Sequence, residues 1–136
     1  MQVIDTNILA YYLLEGIYSD QVLRIAEMDP DWHSESYLLI EFTNVLARQL
    51  SANILPLSKA QDVFAQALQK MGNSLHEMPH LEVLALCATY KVTAYDARFL
   101  LLAQKLGLKL ITEDKKLRTA APKLTQSIEE ALDSAA

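Results

Sequence analysis

The stretch "VIDTNILAYYLLEG", residues 3–16, carries the first decision about the fold. Val3 and Ile4 are β-branched and apolar, which suits a short strand. Ile8, Leu9 and the residues to Leu14 then read as a helix that Gly16 ends. Between them stand three polar residues, Asp5, Thr6 and Asn7. Any of the three can cap the helix. Asp5 can instead form one wall of a cation site, because in an open parallel sheet ligands gather beyond the carboxyl ends of the strands.

The same alternation continues outward from this junction. A helix over about 20–28 ends before Asp29-Pro30-Asp31. Trp32-His33 reads as a brief strand. Ser34 or Ser36 caps the long apolar helix "SYLLIEFTNVLARQL", which Asn53 and Pro56 end. Ser58 and Gln61 form a capping-box pattern for a helix stopping at Gly72. "SLHEM" (74–78) reads as a strand, with Pro79 in the first turn of a helix to about Tyr90. Thr93 caps "AYDARFLLLAQKL", and Gly107 closes it. "LKLIT" (108–112) is the clearest strand, and a short polar helix and a final helix over about 127–134 complete the chain. Strands alternating with helices predict a helix-rich α/β domain with a parallel sheet of four or five short strands. No repeat, low-complexity segment or linker interrupts it, so residues 1–136 are expected to form a single domain.

Composition narrows the class. With 136 residues, just over half of them apolar and only three Gly, the chain can bury a real core. Its one cysteine, Cys87, excludes an internal disulfide and reads as a buried structural thiol. No signal peptide precedes the first strand and no apolar run has membrane-spanning length, which predicts a cytoplasmic protein without a membrane role. Net charge is −5, against a general nucleic-acid binder. Yet residues 91–123 hold eight Lys/Arg and three acids, a local +5 able to steer a polyanion, or simply to solvate helix faces.

"HEMPH" (76–80) matches the H-E-x-x-H zinc-protease pattern by letter. That pattern needs one continuous helix with both His on one face. Pro79 interrupts any such helix, so the match is set aside.

Four carboxylates are better placed. Asp5 ends the first strand, Glu113-Asp114 follow "LKLIT", Asp96 lies in the first turn of a late helix, and Glu41 interrupts "YLLIEFTNVL". Each has a plain structural alternative. Asp5 and Asp114 can be N-caps, Asp96 stands three residues after Thr93, and Glu41 shares a stripe with Tyr37, Asn44 and Arg48 that can be a wet helix face. As a set they suggest a hard divalent cation. Clustered carboxylates repel and would otherwise hold a proton, whereas Mg2+ or Mn2+ takes oxygen ligands and suits phosphoryl chemistry.

"VIDTNIL", "LLIEFTNVL", "YDARFLLLA" and "LITEDKKL" together resemble the PIN-domain family, and within it the VapC-type toxins, the ribonuclease half of a toxin–antitoxin pair. The resemblance spans nearly the whole chain, with four motifs in the family's order. It implies a three-layer α/β/α sandwich and an Mg2+- or Mn2+-dependent endoribonuclease in which metal-activated water cleaves RNA phosphodiesters. Carried over by position, Asp5, Glu41, Asp96 and Asp114 would be the catalytic metal ligands. Asn7 and Thr112 would support them, leaving Thr6 as the helix cap. Glu113 departs from the family pattern and adds a carboxylate able to compete as a ligand. Arg98, Lys115 and Lys116 lie beside the expected ligands and are candidates for phosphate contacts. The resemblance also implies a homodimer and a cognate antitoxin whose tail covers the acidic cleft. Two rival readings stand beside it. A phosphatase-type α/β enzyme would need an acid where Asn7 stands. A catalytically inactive PIN-like scaffold would bind RNA or a protein partner without cleaving.

Overall fold

The computed structural model describes residues 1–134. Five parallel strands form the sheet: β1 (Gln2–Ile4), β2 (Trp32–Glu35), β3 (Leu75–His76), β4 (Leu110–Ile111) and β5 (Thr125–Gln126). Their order across the sheet is β3-β2-β1-β4-β5. The chain starts in the middle, builds outward through β2 and β3, then returns to the other side of β1 for β4 and β5. That reversal between β1 and β4 is a topological switch point, where the connections leave in opposite directions and open a crevice beyond the strand ends. In register, Val3 pairs with Leu110 and Ile4 with Ile111, so Asp5 and Thr112 emerge side by side.

Among the described residues eight helices cover the sheet: α1 (Thr6–Leu13), α2 (Ser19–Met28), α3 (Tyr37–Ser51), α4 (Leu57–Met71), α5 (His80–Tyr90), α6 (Ala94–Leu106), α7 (Lys115–Ala120) and α8 (Ile128–Asp133). Helix α6 packs on β1, β2 and β4 with α5 against it, while α1 joins α2, α3 and α4. Val3, Ile4, Leu110 and Ile111 are completely buried, as a parallel sheet covered on both sides requires. Trp32, Phe42, Ile8, Leu9 and Leu100 fill the core around them. Among the described residues no helix is long and apolar enough to cross a membrane.

The expected helix-rich α/β architecture is present, and several local expectations are corrected. Helix α1 stops at Leu13, with Leu14 already extended. The reason is Ser19, whose hydroxyl accepts from the Gly16 N–H at 2.9 Å and lies 2.9 Å from the Tyr11 carbonyl oxygen, tying down the turn. Neither Ser34 nor Ser36 caps α3 by its side chain. Ser34 instead donates to the Ile4 carbonyl at 2.7 Å, bracing β2 on β1. The Ser58–Gln61 capping box does not form, because α4 already begins at Leu57 behind Pro56. Pro79 is the residue before α5 rather than part of its first turn, and it separates His76 on β3 from His80 on the helix. Strand β5 has too little apolar pattern to be read from sequence. Cys87 is half-buried rather than buried. Gly107 does close α6, at φ 68°, a left-handed conformation that glycine adopts without a Cβ penalty.

Candidate active site

A cleft of about 620 Å3 opens over the carboxyl end of the sheet. Asp5, Glu41, Asp96 and Asp114 all line it, although they come from four separate segments of the chain. Asn7 from α1, and Tyr37, Asn44 and Arg48 from α3, complete its polar wall. The stripe Tyr37–Glu41–Asn44–Arg48 is therefore a cleft-lining face, as the helical spacing of three and four brings these side chains to one side.

Each carboxylate is anchored by local backbone geometry. Asp5 is the N-cap of α1: its Oδ1 accepts from the Ile8 N–H at 3.1 Å. Asp114 does the same for α7, accepting from the Leu117 N–H at 3.1 Å. Both are thus caps and cleft residues at once, since a cap leaves a second carboxylate oxygen available. Asp96 stands in the first turn of α6, where its N–H donates to the Thr93 hydroxyl at 3.1 Å. Thr6 is not the cap that the sequence suggested. It is buried, and its hydroxyl donates to Glu41 Oε1 at 2.6 Å, which links α1 to α3. Thr112 is buried between two of the acids: its hydroxyl accepts from the Asp114 N–H at 3.1 Å and lowers the proton affinity of the Asp5 carboxyl. Asn7 is exposed at the cleft rim.

Electrostatically the cleft holds uncompensated negative charge. Burial pushes the Asp5 carboxyl up to about 6, against the hydrogen bonds from Thr112 and Ile8, and the nearby Glu41 and Asp114 charges add to the rise. Burial also raises Glu41, opposed by the Thr6 hydroxyl and assisted by the Asp96 and Glu35 charges. Asp96 is raised by burial and by Asp114. Among the described residues none of the four acids has a Lys or Arg ion-pair partner. Also among the described residues, no three His, Cys, Asp or Glu side chains converge tightly enough to form a preassembled metal cage. The donor set of carboxylates and two amides, Asn7 and Asn44, nevertheless offers hard oxygen atoms, carries unpaired charge and includes no competing soft ligand. It fits a hard divalent cation of the Mg2+ or Mn2+ type.

The sequence profile of the PIN domain family matches residues 3–123. The chain belongs to the PIN domain family. It is 28% identical over 126 residues to the protein named Ribonuclease VapC3 of Pyrobaculum aerophilum, covering 90% of this chain and 95% of that one. The crystal structure of PAE2754 from P. aerophilum superposes with a TM-score of 0.75 at 20% identity, covering 98% of this chain and 95% of that one. FitAcB from Neisseria gonorrhoeae superposes with a TM-score of 0.62 at 15% identity, over 93% and 96% of the two chains. These two structural likenesses establish the PIN-type fold.

Four charged residues expected near the ligands lie elsewhere in this PIN domain. Glu113 does not line the cleft; its Oε2 accepts from the Ile128 N–H at 2.8 Å and anchors the start of α8. Arg98 points to Nδ1 of His80 at 2.9 Å and lies 3.8 Å from Glu35, outside the cleft wall. Lys115 borders a shallow neighbouring depression with Arg118 and Thr119. Lys116 is exposed and also does not line the cleft. The cation that does line it is Arg48.

Glu35 escaped the sequence reading. It is buried at the end of β2, with Oε2 accepting from the Tyr37 N–H at 2.7 Å and Oε1 from the Met78 N–H at 3.3 Å. It thus takes the role at the start of α3 that the serines were expected to play. Its position at a strand's carboxyl end, like that of Asp5, is the signal that could have found it.

Proposed function

We propose that this PIN domain is a divalent-cation-dependent endoribonuclease and the toxin of a toxin–antitoxin module. The observation that carries this reading is the convergence of Asp5, Glu41, Asp96 and Asp114 on one cleft. The kinship with Ribonuclease VapC3 supports RNA as the substrate.

In this reading the four carboxylates hold Mg2+ or Mn2+, and the cation supplies activation of water and charge compensation for phosphodiester hydrolysis. The chain's own residues do the rest. Thr112 holds the Asp5 and Asp114 segments together, and Thr6 holds Glu41, so that carboxylate positions on α1, α3 and the β4–α7 turn are set before substrate arrives. Asn7 at the rim donates or accepts toward the bound nucleotide. Arg48 contacts a phosphate beside the reacting one, where a planar guanidinium can engage two oxygens. The reading further comprises a cytoplasmic homodimer and a cognate antitoxin that supplies a cationic side chain to the cleft.

The test is cleavage of a single-stranded RNA by the purified chain with Mn2+ or Mg2+, with and without chelator. Cation-dependent internal cleavage is expected, and co-expression with the antitoxin should suppress it. RNA bound but left intact at saturating cation would favour the inactive scaffold instead. Cleavage that persists unchanged in chelator would overturn the role given to the cation.

A further inference from the structure

An acidic cleft is a poor place to bind a polyanion. Four carboxylates line it and Arg48 is the lone Lys or Arg among its lining residues. The chain as a whole carries −5. Besides the charge compensation of a bound cation, a substrate with a phosphate backbone gains affinity there from contacts that do not depend on charge.

One feature beside the cleft offers such a contact. Tyr37, the first residue of α3, and Tyr95, the second residue of α6, stack with ring centroids 5.1 Å apart and planes 20° from parallel. The pair borders the acids on both elements. Tyr37 lines the cleft one turn before Glu41, and Tyr95 immediately precedes Asp96. Packing accounts for Tyr37, which is half-buried, but not for Tyr95, which is 55% exposed. Among the described residues the other aromatic pairs are tilted or edge-on, as for Tyr11 with Tyr18 and Tyr12 with Trp32. A near-parallel pair differs in consequence. One ring backs the other, and Tyr95 remains exposed, as a ring on which an unpaired base stacks must be.

We propose that Tyr95, backed by Tyr37, is a nucleobase platform that receives an unpaired base of the RNA next to the phosphate held among the acids. This rests on the ribonuclease reading above and adds to it a contact with one unpaired base, since a base inside a duplex has no free face to offer. It also provides binding that the acidic wall cannot oppose. Besides Tyr37, the aromatic residue that lines the cleft is Phe99, which is buried and offers no free face.

The test is single-turnover cleavage of a fluorescently labelled 12-nucleotide single-stranded RNA with Mn2+, read as the half-saturating enzyme concentration and the maximal rate. Tyr95→Ala should raise the half-saturating concentration about tenfold, the scale of one base–aromatic stack, with the maximal rate within about threefold. Tyr95→Trp should match or improve on the parent, and Tyr95→Leu should behave like Tyr95→Ala. An abasic site moved along the RNA should weaken parent binding about tenfold at one position and cost Tyr95→Ala nothing there. Unaltered half-saturation in both the Ala and Leu variants overturns the platform while leaving the nuclease intact. So does a loss confined to maximal rate, or the absence of any abasic position whose cost depends on Tyr95. A change in self-association on Tyr95→Ala, with RNA affinity unchanged, would make the pair a protein contact instead. A parent that neither binds nor cuts any RNA overturns the ribonuclease reading and the platform with it.

Discussion

The Thr6 hydroxyl donates to Glu41 Oε1 at 2.6 Å, so the first residue of α1 is tied directly to the second turn of α3. The two are 35 positions apart in the chain. The bond holds one cleft carboxylate in place and partly offsets the burial that raises its proton affinity. Thr6→Val keeps the shape of the side chain and removes the donor. We expect a stability loss of about 1–2 kcal/mol and a Glu41 carboxyl raised further. In cleavage assays the acidic limb of the pH–rate profile should then move to higher pH. Thr6→Ser, which restores the donor, should recover most of both. A pH profile unmoved in Thr6→Val would remove Thr6 from any part in setting Glu41.

Asp96→Asn separates a ligand from a helix-terminus residue. The Thr93 cap bonds to the backbone N–H of residue 96, which Asn retains, so thermal stability should change little. Cleavage should fall by orders of magnitude, because an amide is a far weaker partner for a hard cation than a carboxylate. Glu113→Gln is the matched control. Its oxygen can still accept from Ile128, and it does not line the cleft, so activity should stay near that of the parent. Near-normal cleavage by Asp96→Asn would defeat the assignment.

Asp5 predicts an inverted pH dependence of stability in the metal-free protein. Its folded carboxyl lies at about 6, above the ordinary 3.8. The native state therefore holds a proton that the unfolded state has lost between those values. This contribution is full below about pH 4 and is lost as pH rises through about 6. At roughly 1.4 kcal/mol per pH unit the loss is on the order of 3 kcal/mol, and Glu41 and Asp96 act in the same direction. Asp5→Asn keeps the α1 cap, since Asn caps as well as Asp. It should flatten the pH dependence and leave the metal-free protein at least as stable as the parent at pH 7. In the parent, Mn2+ at about 100 times its dissociation constant should restore about 2.7 kcal/mol; in Asp5→Asn most of that gain should vanish. Thermal unfolding of both proteins between pH 4 and 8, with chelator and with Mn2+, measures all of this. Equal shifts on adding Mn2+ would rule Asp5 out as a ligand.

In the proposed function Arg48 supplies one phosphate contact. Arg48→Gln should weaken RNA binding across sequences alike. It should also reduce the slope of log affinity against log salt by about 0.7, the value for one phosphate contact on a single strand. Lys116→Gln, changing an exposed residue away from the cleft, should leave the slope nearly unchanged. A parental slope in Arg48→Gln would show that the cleft binds RNA without this cation.

The sequence by itself determined the alternation of strands and helices, because hydrophobic period and capping are local properties that each segment carries alone. It also marked Asp5, Glu41, Asp96 and Asp114, because polar residues that interrupt apolar strands and helices stand out without any partner in view. It did not determine how those residues serve. Thr6 and Asp5 are both good caps, and only the packing of α1 against α3, which places Glu41 within reach of the Thr6 hydroxyl, decided between them. Glu113 and Asp114 are neighbours in the chain. The turn after β4 sends one into the cleft and the other to the start of α8. Basic residues beside the acids in sequence do not line the cleft, while Arg48 reaches it because two turns of α3 bring it to the face of Glu41. Strand β5 is defined by its pairing with β4, as Thr125-Gln126 carries no apolar pattern of its own. The Tyr37–Tyr95 stack joins residues 58 positions apart in the numbering. Such contacts depend on which helix faces meet across the sheet, and that is settled by the burial of the whole core rather than by any one segment.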